Sequence, residues 1–151
     1  REFGFHTSMI ESSMIINDRM PEYCCQRAMR ALNEQKKALN GSKVLVLGVA
    51  YKQDIDDYRE SPALRVIECL KSSGADVSYY DPYIPQYRFE GKTHYGLSDL
   101  TADILSQSDL VVITAAHTTI DYDFVAEYAP LVFDTKNAMK NVMNRDNIRL
   151  L

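Results

Sequence analysis

The chain has 151 residues, 46% of them apolar and 25% charged, the profile of an ordinary globular protein with one cored domain and room for an appendage. Its net charge of −4 argues against duplex nucleic acid as a partner, and no run approaches the ~20 apolar residues of a membrane span, so neither nucleic acid nor a membrane is an expected partner. Cys24, Cys25 and Cys69 make neither a metal spacing nor a disulfide framework, so reduced packing thiols, no metal and a cytoplasmic setting are expected.

The opening at Arg1, with no methionine, reads as the middle of something longer. Residues 7–39 carry helical spacing: Met9, Ile10, Met14 and Ile15 come first, then Cys24, Ala28, Ala31, Leu32 and Leu39 on one face. Pro21 is expected to break this arm and start a new helix, and Asn40-Gly41 to end it. From Lys43 the pattern alternates. Residues 43–48 read as a strand, and 61–73 as a helix with Leu64, Ile67 and Leu70 inward and Gly74 as its stop. Residues 76–80 read as a strand, 81–92 as a loop and 97–107 as a helix. Residues 109–114 read as a strand buried on both faces, and 121–128 as a short helix. A strand at 131–134, a helical turn at 138–143 and a short strand at 147–150 complete the chain. The expected fold is α/β, a Rossmann-like parallel sheet with flanking helices, preceded by a helical linker arm. The arm takes residues 1–40 and the domain residues 41–151. Ligands of such sheets sit at the C-terminal strand ends, which singles out the loops after Gly48, Tyr80, Thr114 and Phe133.

The first of these loops holds the richest chemistry. Gly48 and Ala50 are small enough for a ligand to approach the backbone, Lys52 is a mobile point charge, and Arg59 offers a planar fork. Ser61 is a good helix cap and Pro62 a good first helical residue. A strand, a glycine turn, two cations and a helix start are the parts of an anion site. The loop is nevertheless neither G-x-G-x-x-G nor a Walker loop, so it is expected to follow a rule other than that of the common NAD fold. Asp81-Pro82 could hold a ribose in an NAD fold, but without the glycine fingerprint an Asp-Pro turn is the better reading. His117, among Thr114, Thr118 and Thr119, is read as a loop histidine with one hydrogen bond rather than a polarising group. Lys136 and Lys140 add positive charge after the strand at 131–134, so Lys52, Arg59 and Lys136 are expected to converge on one edge. His6 has no assignable role. With no nucleophile elbow, no H-E-x-x-H and no C-x-x-C, no catalytic residue is assigned.

G-V-A-Y-K-Q-D-I-D-D-Y-R-E-S-P-A-L resembles the signature of the UDP-glucose/GDP-mannose dehydrogenase C-terminal domain, G-x-x-[YF]-K-x-x-x-x-D-x-R-x-S, filled here by Gly48, Tyr51, Lys52, Asp57, Arg59 and Ser61. Y-D-P at Tyr80, Asp81 and Pro82, D-T-K-N from Asp134 to Asn137, F-G-F-H-T, and I-N-D-R-M-P ending at Pro21 are also similar to that family. The resemblance implies a UDP-sugar-binding domain with Tyr51, Lys52, Arg59 and Lys136 toward the substrate. Arg59 would mainly shape the loop, and Lys136 departs from the family's more usual arginine, keeping the charge without the fork. The implied whole enzyme oxidises the C6 alcohol of a UDP-hexose to a carboxylate with two NAD, through an essential cysteine that carries a thiohemiacetal and then a thioester. That cysteine, the NAD-binding domain and the central region would lie elsewhere in the polypeptide, so NAD is not expected on this chain and the chain alone is expected to be inert. A homodimer through the arm is implied as well. Within the family the pattern looks most like the UDP-N-acetylglucosamine 6-dehydrogenases of surface-polysaccharide synthesis, with UDP-glucose and UDP-N-acetylmannosamine dehydrogenases as alternatives. A free-standing NAD-binding domain lacks its glycines here, and a flavodoxin-like receiver would need carboxylates where Gly48 and Val49 stand.

Overall fold

The computed structural model describes residues 8–151; His6 and the F-G-F-H-T segment lie outside the described residues. Helix α1 (Ser8–Glu34) leads into strand β1 (Lys43–Leu47), helix α2 (Pro62–Ser72) and strand β2 (Asp76–Tyr80). A hairpin of β3 (Gln86–Phe89) and β4 (Lys92–Tyr95) follows, then α3 (Ala102–Gln107), β5 (Leu110–Ile113), α4 (Tyr122–Tyr128), β6 (Val132–Asp134) and β7 (Ile148–Leu150). The main sheet runs β2-β1-β5-β6-β7 and every pairing in it is parallel. The expected Rossmann-like α/β fold with a preceding helix is what forms.

The apolar run of β1 divides between two layers because successive strand side chains point to opposite faces. Val44 and Val46, with Leu110, Val112, Leu131 and Phe133, pack against α1 and α2. Leu45 and Leu47, with Val111, Ile113 and Val132, pack against Leu105 of α3, Val125 of α4 and Met139. From β1 the chain turns to β2 on one side and later to β5 on the other. The crevice at the C-terminal ends of β1 and β5 is therefore the switch point at which such sheets take ligands.

Four details depart from the sequence reading. Helix α1 runs unbroken through Pro21. Proline removes one hydrogen bond, leaving the Asn17 carbonyl without its i+4 donor, but burial of Pro21, Cys24, Cys25, Ala28, Ala31 and Leu32 holds the helix on the core. The helix stops at Glu34 rather than near Asn40, because Lys36 takes the left-handed conformation (φ 58°) and Lys37 N–H closes onto Leu32 O at 3.0 Å. Lysine there hides a stop usually marked by glycine. The expected loop at 81–92 contains most of the β3–β4 hairpin, whose turn residues Glu90 and Gly91 both have positive φ, the geometry of a tight two-residue turn. Finally, α3 begins only at Ala102, capped by Thr101. Leu97 is drawn out of it by donating its N–H to Tyr79 O at 2.8 Å, alongside β2.

Candidate functional site

The loop after β1 is folded onto itself. Gly48 has φ +84°, and a Cβ there would lie 2.6 Å from Ala115 Cβ and carbonyl O, so glycine is required. Tyr51 N–H donates to Asp57 O at 2.8 Å across the loop. Arg59 grips Asp57 with two bonds, Nε to Oδ1 at 3.0 Å and a terminal nitrogen to Oδ2 at 2.9 Å. This guanidinium beside Asp57 holds the carboxyl down at about 2. Ser61 joins the loop's two ends: its Oγ donates to Ala50 O and accepts from Ala63 N–H, capping α2.

Asp81 and His117 anchor the loop from below. Asp81 Oδ2 accepts from Val49 N–H at 2.8 Å, Ala50 N–H at 3.2 Å and His117 Nε2 at 2.8 Å, and Oδ1 accepts from Tyr83 N–H at 2.9 Å. Burial pushes the Asp81 carboxyl up, and the donors, His117 foremost, outweigh it, so the acid is held below its ordinary value. On the other side of the imidazole, Nδ1 accepts from Asp54 N–H at 2.9 Å. A backbone N–H can only donate, so Nδ1 carries a lone pair and the histidine is the neutral Nε2–H tautomer. Asp54 in turn accepts from Thr118 N–H and Oγ1 at 2.8 and 2.9 Å. The loops after β1, β2 and β5 thus form one network, buried at Asp81 and His117 and reaching the surface at Thr118. His117 makes more than the single bond expected of it, and Asp81 is more than a turn residue.

Asp134, at the end of β6, is nearly fully buried. Its Oδ1 accepts from Lys136 and Ala138 N–H groups at 2.9 and 3.1 Å, and its Oδ2 from Met139 N–H at 2.9 Å. Thr135 Oγ1 donates to Ile113 O at 2.7 Å. The turn carrying Lys136 is thereby fixed to the sheet, a placement the D-T-K-N sequence encodes through the aspartate.

A cleft of about 950 Å³ opens beside these loops. Tyr51, Tyr58 and Arg59 of the loop, Lys136 and Thr135 after β6, the start of α2, and Asn17, Pro21 and Cys24 of α1 line it. Of the four residues expected at the substrate, Tyr51, Arg59 and Lys136 come together here. Lys52 is not part of the lining; its ammonium lies 5.8 Å from the ring centre of Tyr51. Arg65 and Arg88 also line the cleft. Arg59 is paired with Asp57, and Arg65 lies 3.8 Å from Asp18. Among the described residues, Arg88 and Lys136 have no carboxylate within ion-pair distance, so two uncommitted cations remain. Arg88 was not legible in sequence because it sits on the unexpected hairpin. Asn17, of the I-N-D-R-M-P segment, lines the cleft one turn before Pro21. Burial raises the Cys24 thiol, which suits a packing group rather than a nucleophile. The described residues contain no group of three metal-ligating side chains.

A model of the UDP-glucose/GDP-mannose dehydrogenase family, UDP binding domain, matches residues 45–141. The chain is 33% identical over 144 residues to a UDP-N-acetyl-D-mannosamine dehydrogenase of Methanococcus maripaludis, covering 90% of this chain and 32% of that protein. It is 30% identical over 137 residues to the UDP-glucose 6-dehydrogenase AglM of Haloferax volcanii, covering 89% of this chain and 31% of that protein. The structure of the UDP-D-ManNAc dehydrogenase from Pyrococcus horikoshii superposes with a TM-score of 0.77 at 23% identity, over 98% of this chain and 34% of that one, a likeness of fold. The chain spans about a third of the length of the curated relatives it matches.

Proposed function

The chain belongs to the UDP-glucose/GDP-mannose dehydrogenase family, and from that membership we propose that it is the substrate-nucleotide half of an NAD-dependent UDP-sugar 6-dehydrogenase. On this reading the cleft beside Tyr51 takes the UDP moiety. Lys136 and Arg88 face the diphosphate, Lys52 reaches ribose or phosphate from the rim, and Arg59 shapes the loop through Asp57. The observation that carries the reading is the pair of uncommitted cations, Lys136 and Arg88, in one cleft at the C-terminal edge of a parallel sheet, in a chain whose net charge is −4. The substrate is a UDP-N-acetylhexosamine. N-acetylmannosamine comes first because of the relatives reported above; N-acetylglucosamine, the sugar suggested by the signature residues, comes second, and UDP-glucose third. NAD, the thioester-forming cysteine and the sugar pocket belong to the rest of the polypeptide, and the enzyme is a cytoplasmic homodimer serving polysaccharide synthesis. No described helix is long and apolar enough to cross a membrane.

The test is an amide-resolved NMR titration of this chain with UDP and, separately, with NAD. The reading expects UDP to shift resonances of residues 51–61 and 134–137, and NAD to leave them in place. Lys136→Ala is expected to weaken UDP about tenfold, or ~1.4 kcal/mol. NAD shifting this loop while UDP does nothing would sink the reading. Silence with both ligands transfers the same titration to the longer polypeptide.

A further inference from the structure

In a doubly wound sheet, the amides at the turn after the first strand are those that receive a dinucleotide's phosphates, and glycines keep that turn open. In this chain the glycine positions of such a turn hold Gly48, Ala50 and Gln53. The turn's first two amides after the glycine, Val49 N–H and Ala50 N–H, are not free for a ligand. Both donate to Asp81 Oδ2, at 2.8 and 3.2 Å. His117 Nε2 completes three donors on that one oxygen, and Tyr83 N–H holds the other. Asp81 is 4% exposed, His117 0% and Val49 0%. The carboxylate has the charge, the acceptor oxygens and the position of a bound phosphate. Its partners are neutral: two backbone amides, a third amide from Tyr83, and an imidazole fixed as the Nε2–H tautomer by Asp54 N–H.

We propose that Asp81 is the resident anion of this turn and closes the fold's phosphate seat to dinucleotides. An incoming phosphate would have to displace Asp81 from four donors and then lie against a second, buried negative charge. The seat is therefore satisfied internally and rigid. Anions are left to the neighbouring cleft, which Asp81 does not line and where Lys136 and Arg88 supply the positive charge. The closure also removes the need for glycine at positions 50 and 53, since no ligand has to approach the backbone there. It holds whatever ligand the neighbouring cleft takes.

Two measurements on this chain test the assignment. In the first, pyrophosphate, the charged core of a dinucleotide, is titrated to tens of millimolar while the Val49 and Ala50 amide resonances are followed. They are expected to stay in place; a saturable shift of both would overturn the proposal without any variant having to fold. In the second, Asp81→Ala empties the seat and sodium formate is added, with sodium chloride at equal ionic strength as the control. Formate, a carboxylate without a side chain, is expected to raise the Tm of Asp81→Ala by about 4 °C or more and to shift Val49 and Ala50 saturably, while the wild-type chain responds to neither salt. If Asp81→Ala folds only when formate is present, that is the same rescue. A variant that behaves identically in formate and chloride shows that the turn needs no anion, and the proposal fails.

Discussion

Arg59 uses its planar fork inside its own loop. Both oxygens of Asp57 are engaged, and the guanidinium remains largely exposed. A charge in that state shapes the loop more than it holds a ligand, and exposure keeps the pair's contribution small. The folded-state value of Asp57, about 2, lies below its ordinary one. Whatever stability the pair contributes is thus present above the ordinary carboxylate value and lost as pH falls through about 2. A carbon-detected NMR titration should place the Asp57 midpoint near 2, and Arg59→Ala should raise it toward the ordinary carboxylate range but not fully to it, because the backbone N–H of residue 59 still donates to Asp57 Oδ1 at 3.0 Å. An unchanged midpoint would mean that the arginine is not the cause. Gly48 is the second residue on which the loop depends. With φ +84° and Ala115 at 2.6 Å from a built Cβ, Gly48→Ala combines left-handed strain with a backbone clash. It should cost roughly 3 kcal/mol in a urea unfolding curve. A loss under about 1 kcal/mol would show that the turn can relax.

At the scale of elements, α1 is one helix with two environments. Its second half, from Pro21 to Leu32, is packed against the sheet and α2. Its end is tied to β7 by Arg149 Nε on Glu34 at 2.9 Å and by an Arg27 terminal nitrogen on Leu150 O at 3.1 Å. Its first half leaves Met9, Ile10, Met14, Ile15 and Ile16 more than half exposed. The consequence is a sharp contrast between two substitutions of similar size. Leu32→Ala removes a fully buried side chain and should cost about 3 kcal/mol. Ile15→Ala, read at a concentration where the chain is monomeric, should change stability by less than about 0.5 kcal/mol. Equal effects in denaturant unfolding would mean that both halves are packed alike. The β3–β4 hairpin has a comparable structural role. Tyr87 stacks on His94 at 4.8 Å and meets Tyr79 at 5.1 Å, which fixes the element that brings Arg88 to the cleft.

For the whole molecule, the exposed apolar first half of α1 is the segment through which the proposed homodimer would form. Five large apolar side chains within about two turns of one helix are more than scattered surface residues. Sedimentation should show this chain as a concentration-dependent dimer, and the double substitution Ile10→Glu with Met14→Glu should return it to a monomer whose Tm no longer depends on concentration. A wild-type chain that stays monomeric at tens of micromolar would place the dimer contacts elsewhere in the longer protein.

What the sequence by itself determined was whatever local pattern can encode. The apolar runs of β1 and β5, the Ser61-Pro62 helix start and the D-T-K-N turn each declare themselves within a few residues, and the strand–helix alternation then implies the parallel sheet. The Tyr51, Arg59 and Lys136 positions were legible for the same reason. What depended on distant partners was decided by tertiary structure. Burial carries α1 through Pro21 against its local preference. A lysine takes a helix stop that normally falls to glycine. Tyr79 draws Leu97 out of a helix, and a hairpin supplies Arg88. Above all, Asp81 and His117 meet across 36 residues of chain at 2.8 Å. Nothing local to either residue specifies that meeting, because it exists only where β1, β2 and β5 end side by side.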